Sequence, residues 1–164
     1  MLMNKLIESG PSRVVNVASG AHMFVKDMNF DDLQSEKEYK TMQVYGRSKL
    51  ANILFTRELA ERLEGKGVTV NCLHPGFVNT GIGSNNSPTM GRILMALARP
   101  FSRKTDKGAE TSIYLCVSPE VENETGEYFY DCKKEKISAA ASDKENATKL
   151  WEVSSKLTGI DLLD

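Results

Sequence analysis

The chain reads as an α/β protein built on a parallel sheet of the doubly wound kind, and three consecutive stretches predict it. "RVVNVAS" at 13–19 is short, β-branched and apolar at Val14, Val15 and Val17, as expected of a strand buried on both faces. From about Thr41 to Leu63 the apolar positions Leu50, Ile53, Leu54, Leu59 and Leu63 fall at helical spacing. "VTVNCLHPG" at 68–76 then gives a second buried strand that ends in a Pro-Gly turn. A strand joined to the next through a long helix implies a parallel pair with a right-handed crossover, the repeating unit of such sheets.

The other elements follow in order. "MLMNKLIESG" reads as a helix with Leu2, Met3, Leu6 and Ile7 on one side, closed by the Gly10-Pro11 break. Its apolar part is too short for a signal peptide and far short of a membrane span. Residues 20–41, with the charge-rich "DDLQSEKEYK", show no periodicity and read as a long connection with room for a helical turn. In the long helix Arg57, Glu58, Glu61 and Arg62 are expected to point away from the core, Glu58 and Arg62 forming an i,i+4 pair, and Gly65 and Gly67 supply the stop. Residues 79–104 mix Gly, Asn and Ser with a short apolar stretch, which suits a cover over a pocket or, equally, a loop and a core helix. "DKGAETSIYLCVSP" at 106–119 predicts a helix with Ala109, Ile113, Leu115 and Cys116 on its apolar side, stopped before Pro119. "GEYFYDC" predicts a third strand, and Leu150, Trp151, Val153 and Leu157 predict a last helix packing back. With no internal repeat, residues 1–164 read as one domain.

Composition narrows the function. At 40% hydrophobic and 26% charged residues the 164-residue chain suits a soluble domain with a core rather than a disordered segment. A formal net charge of −1 with both signs interspersed offers no basic field for nucleic acid or an anionic membrane, leaving small neutral ligands. Cys72, Cys116 and Cys132 lie far apart with only two histidines in the chain, which fails the spacing of a zinc site and predicts no metal. The three thiols are read as small buried hydrophobes.

Chemistry concentrates at "VYGRSKLAN". Four residues along a helix bring side chains onto adjacent turns, roughly 5–6 Å apart at Cβ, so Lys49 places its charge near the Tyr45 phenol. The same spacing recurs at Tyr130 and Lys134, but in a strand-like segment four residues span roughly 13 Å at about 3.3 Å each, which marks that pair as a decoy. A free phenol titrates near 10, and a neighbouring ammonium favours phenolate, making Tyr45 a candidate general acid or base. Ser19 stands at the carboxyl end of the first strand, and the turn in "HPGFVNT" stands at the carboxyl end of the second, the edge where open α/β sheets bind ligands. Singly, each feature is more often a turn former or a packing residue. Their conjunction is what points to a site.

In order, "RVVNVAS", "YGRSK" and "VNCLHPGFVNT" resemble the catalytic half of the short-chain dehydrogenase/reductase family over nearly the whole chain. The stretch "YGRSKLANILFTRELAERLEGKGVTVNCLHPG" and the long insertion between Ser19 and Tyr45 are especially similar to the retinol dehydrogenase branch. The resemblance implies a partial Rossmann-like doubly wound sheet and an NAD(P)-dependent oxidoreductase that interconverts an apolar alcohol and its aldehyde or ketone. It implies that Tyr45 exchanges a proton with the substrate oxygen, that Lys49 assists Tyr45 and bonds the nicotinamide ribose, and that Ser19 orients the substrate. Pro75, Gly76, Val78 and Thr80 would meet the nicotinamide end of NADP(H) or NAD(H), and residues 81–100 would supply the rest of the pocket.

The sequence departs from the family in lacking its N-terminal strands and the glycine-rich turn that holds the pyrophosphate. Gly65-Lys66-Gly67 is no substitute, since it follows a helix and precedes a strand. The family's asparagine on the helix before the first strand is expected upstream, Asn4 lying too near that helix's end. The chain is therefore expected to be a truncated dehydrogenase, a partial gene product or shortened isoform whose first strand offers an uncovered edge. The alternative expectation is an inactive fragment serving as an interaction module, because the helix bearing Tyr45 is commonly a dimer surface in this family; homo- or hetero-oligomers fit either case. The expected location is intracellular, cytoplasmic or associated with the endoplasmic reticulum, with no membrane span in this chain.

Overall fold

The computed structural model describes residues 2–76 and 105–160. Helix α1 (Leu2–Glu8) leads into strand β1 (Ser12–Val17), and two 3-10 turns (Gly20–Phe24 and Phe30–Asp32) connect it to helix α2 (Thr41–Arg62). Strand β2 (Val68–Leu73), helix α3 (Thr105–Val117), a 3-10 turn (Pro119–Val121) and the hairpin of β3 (Tyr128–Tyr130) with β4 (Lys133–Lys134) follow. Helices α4 (Ala139–Ser142) and α5 (Lys144–Thr158) close the described chain.

The sheet has the order β1-β2-β3-β4. β1 runs parallel to β2 from Ser12↔Val68 to Val17↔Leu73, β2 runs parallel to β3, and among the described strands only β4 is antiparallel. Alternation along the strands sends side chains to two helical layers. Val14, Val68, Val70, Cys72 and Tyr128 pack with α2 and α5, whereas Val15, Leu73 and Phe129 pack with Leu115 of α3. Helices on both faces of a mainly parallel sheet make this the doubly wound α/β arrangement. Arg13 ties β1 to the far layer by donating from one guanidinium nitrogen to the Leu115 and Ser118 carbonyls at the end of α3 (3.1 and 2.8 Å).

Helix α2 is the spine of the near layer, with Leu50, Ile53 and Leu54 completely buried and Leu59 and Leu63 nearly so. Full burial of such a side chain is worth about 1.5–3 kcal/mol, so this stripe outweighs the weak helix preference of any residue within it. The chain leaves α2 through Gly65 and Gly67, whose φ values of +75° and +70° explain why glycine closes this helix.

Several expected faces are corrected. β1 is half-buried rather than buried on both faces, with Val17 exposed, because among the described residues it has a neighbour on one side only. Glu58 does not point away: it is buried under α5, where Arg62 donates to it at 2.7 Å and the Thr148 hydroxyl at 3.1 Å. A buried carboxylate requires such partners, and one of them lies on an element remote in sequence. In α3 the buried face is Gly108, Thr111 and Leu115, while Ala109, Ile113 and Cys116 are exposed. Thr111 turns inward because its hydroxyl accepts the Cys132 amide proton of the hairpin at 3.2 Å. In α1 Met3 is buried and Leu2 is 83% exposed, and in α5 Ala147, Leu150 and Trp151 are buried while Leu157 is exposed. Of the cysteines only Cys72 is buried, and that burial pushes its thiol up to about 12.

Candidate active site

The site is organised by how α2 is fastened to the end of β1. Asn16 donates to the Thr56 hydroxyl at 2.9 Å, and one turn earlier Asn52 donates to the Val17 carbonyl at 3.1 Å. These bonds set the helix along the strand, so the turn after β1 passes beside the preceding part of α2, the part that carries Tyr45 and Lys49. There the backbone touches: a Cβ on Gly46 would lie 2.9 Å from Val25 Cγ1 and 3.0 Å from the Ala21 carbonyl oxygen. Only a residue without a side chain admits the turn at this distance from the residue next to Tyr45.

Ser19 follows β1 in extended conformation and caps the first 3-10 turn, its hydroxyl oxygen accepting the Ala21 N–H at 3.2 Å. That bond uses an oxygen lone pair and leaves the hydroxyl proton to be donated elsewhere. Tyr45 is 40% exposed, and one turn further along α2 the Lys49 ammonium lies 5.6 Å from the centre of its ring. No carboxylate among the described residues pairs with Lys49.

At the end of β2, Gly76 has φ +78° and donates its N–H to His74 Nδ1 at 3.1 Å, which turns the chain sharply at Pro75-Gly76. The two strand ends adjoin, since a Cβ on Gly20 would lie 3.9 Å from His74 Cε1. The structure thus brings the turn bearing Ser19, the helix bearing Tyr45 and Lys49, and the Pro75-Gly76 turn to the carboxyl edge of the sheet. Val78, Thr80 and residues 81–100 lie outside the described residues. Among the described residues there is no group of three or more His, Cys, Asp or Glu placed to hold a metal ion.

The two tyrosines of β3 have other partners. Tyr130 stacks on His74 with ring centres 4.1 Å apart, and Lys134 forms ion pairs with Glu124 and Glu127 at 2.5 and 3.1 Å. Tyr128 is buried, and burial pushes its phenol above the ordinary tyrosine range, away from acid–base work near neutrality.

The family model of the short chain dehydrogenases matches residues 1–91. The chain belongs to the short-chain dehydrogenase family. Among curated relatives of this family member, it is 49% identical over 162 residues to retinol dehydrogenase 14 of Homo sapiens, covering 98% of this chain and 48% of that protein. It is 45% identical over 160 residues to retinol dehydrogenase 12 of Mus musculus, covering 98% of this chain and 50% of the relative. The chain therefore spans about half the length of the curated relatives it matches. A crystal structure of an uncharacterized protein from Mycobacterium paratuberculosis superposes with a TM-score of 0.69 at 27% identity, over 98% of this chain and 55% of that one. The sheet is Rossmann-like, as the family resemblance implies.

Sequence reasoning missed three residues that build this edge. Asn52 and Asn16 carry no signal of their own, because their partners lie 35 and 40 positions away. Gly46 did carry one: a glycine inside a long helix costs about 1 kcal/mol relative to alanine and calls for a packing reason.

Proposed function

We propose that this chain carries the catalytic centre of an oxidoreductase that interconverts an apolar alcohol and its aldehyde or ketone with NADP(H) or NAD(H). The observation that supports it best is the Lys49 ammonium 5.6 Å from the Tyr45 ring on the helix turn packed against the Ser19 segment. In this reading Tyr45 gives a proton to the carbonyl oxygen during reduction and takes it back during oxidation. Lys49 stabilises the negative charge that develops on the Tyr45 oxygen and offers its remaining N–H donors to the ribose. Ser19 donates its hydroxyl proton to the substrate oxygen and fixes the carbonyl plane.

The residues present suit a nicotinamide nucleotide: a lysine with no carboxylate partner among the described residues, beside a sharp Pro75-Gly76 turn at the sheet edge. Tyr45, Lys49, Pro75 and Gly76 would hold its nicotinamide end; Val78 and Thr80, which the family resemblance assigns to the same end, lie outside the described residues. When bound, the cofactor supplies or accepts hydride at nicotinamide C4. An apolar substrate class fits the exposed apolar side chains on these two segments: Met42 one turn before Tyr45 on the same helix face, and Met23 and Phe24 of the turn after Ser19. The names of the retinol dehydrogenase relatives point to a retinoid or a similar lipid aldehyde.

The test is a titration of the protein with NADPH and NADH by fluorescence, followed by reduction of retinaldehyde monitored through loss of the reduced nicotinamide. Binding of one nucleotide and turnover of the apolar aldehyde are expected; binding of neither removes the proposal.

A further inference from the structure

The Ser19 turn is gripped from two sides. On one side α2 presses on Ala21 and Val25 through the gap at Gly46. On the other stands Ser138, reached through His22 of the turn itself, which is only 1% exposed, with its Nδ1 2.8 Å from the Ser19 carbonyl oxygen and its Nε2 3.4 Å from the backbone N–H of Ser138. A carbonyl oxygen only accepts and an amide N–H only donates, so one arrangement satisfies both contacts: the neutral imidazole with its proton on Nδ1. The Ser19 carbonyl also accepts the His22 backbone N–H at 3.3 Å, and the imidazole is braced edge-on by the Tyr128 ring at 5.1 Å. Ser138 in turn caps α4, its hydroxyl oxygen accepting the Ala141 N–H at 3.3 Å.

We propose that His22 is a positioning residue for Ser19: its imidazole clamps the Ser19 carbonyl to the cap of α4, while Gly46 admits the same turn against the helix bearing Tyr45. The proposal rests on the reading of Ser19 as the hydroxyl that orients the substrate. A histidine that merely filled the core would be indifferent to which ring nitrogen is replaced, and this clamp is not. Asparagine places an amide N–H where Nδ1 stands and keeps the Ser19 bond; glutamine reaches the place of Nε2 and keeps only the Ser138 contact.

The experiment compares wild type, His22→Asn and His22→Gln. Long-range ¹H–¹⁵N spectra of the wild type are expected to show the His22 proton on Nδ1. The Ala21 amide, which donates to the Ser19 hydroxyl oxygen, should exchange about tenfold faster in His22→Gln than in His22→Asn. In aldehyde reduction, kcat should fall further in His22→Gln than in His22→Asn at unchanged KM for the cofactor, and this difference should vanish in a Ser19→Ala background. A proton on Nε2 in the wild type, or equal Ala21 exchange in the two variants, would overturn the clamp. Wild-type turnover by Ser19→Ala would instead overturn the role given to Ser19, with tautomer and exchange still deciding the clamp.

Discussion

Two tyrosine–lysine pairs in this chain share one spacing and have opposite fates. Tyr45 and Lys49 lie on successive turns of α2, where the ammonium approaches the ring at 5.6 Å. Between Tyr130 and Lys134 the chain instead reverses through Asp131 and Cys132, both at positive φ, and the register pairs Lys134 with Phe129. Lys134 then finds Glu124 and Glu127, while Tyr130 finds His74. Four residues of separation put two side chains on one face when the backbone between them is helical, whereas this hairpin register places Lys134 on the face of Phe129, opposite that of Tyr130. The useful motif is the spacing together with the element that carries it.

Substitutions sharpen this contrast. Tyr45→Phe removes the proton donor and should lower kcat for aldehyde reduction by about 10²–10⁴-fold, in the range of general acid–base contributions, whereas Tyr130→Phe should leave kcat unchanged; equal losses from both would erase the distinction. Lys49→Gln keeps hydrogen-bonding capacity but removes the charge, and a kcat loss of about 10²-fold is expected in the same assay. Gly46→Ala forces a Cβ against Val25 and the Ala21 carbonyl. It should cost about 1–3 kcal/mol in denaturant unfolding. A Gly46→Ala protein as stable as wild type would refute the close approach.

The smallest effect belongs to the hairpin lysine. Hydrogen bonds to Glu124 and Glu127 raise the Lys134 pKa above the ordinary lysine value. Its stabilisation is therefore fully present below the ordinary lysine range, near 10.4, and is lost as pH rises through the raised folded value. Since the side chain is 47% exposed, the contribution should stay below about 1 kcal/mol. Unfolding free energies across that pH window should lose this part of their slope in Lys134→Met.

Much of the architecture was legible in local patterns. The short β-branched runs around Val14 and Val68, bounded by Gly and Pro, and the helical period of the Leu50-Ile53-Leu54 stripe place strand, helix and strand correctly. What escaped was decided by partners remote in sequence. Glu58 looks like one half of a surface pair until Thr148 covers it, and Thr111 looks neutral until the Cys132 amide reaches it. In α3 the Thr111 contact, together with burial of Leu115, sets which face turns inward. The candidate site was readable as residue types on elements, Ser19 after a strand and Tyr45 with Lys49 on a helix. The Asn52 and Asn16 bonds that align those elements, and the His22 clamp, needed coordinates.

The coupling of phenol and ammonium on α2 is tested most directly by a double-mutant cycle on kcat for retinaldehyde reduction, with cofactor and substrate saturating, using Tyr45→Phe, Lys49→Gln and the two combined. Because Lys49 is assigned its effect on kcat through the Tyr45 oxygen, the combined variant should turn over about as slowly as Tyr45→Phe alone. Losses that multiply would show two independent groups and contradict the account.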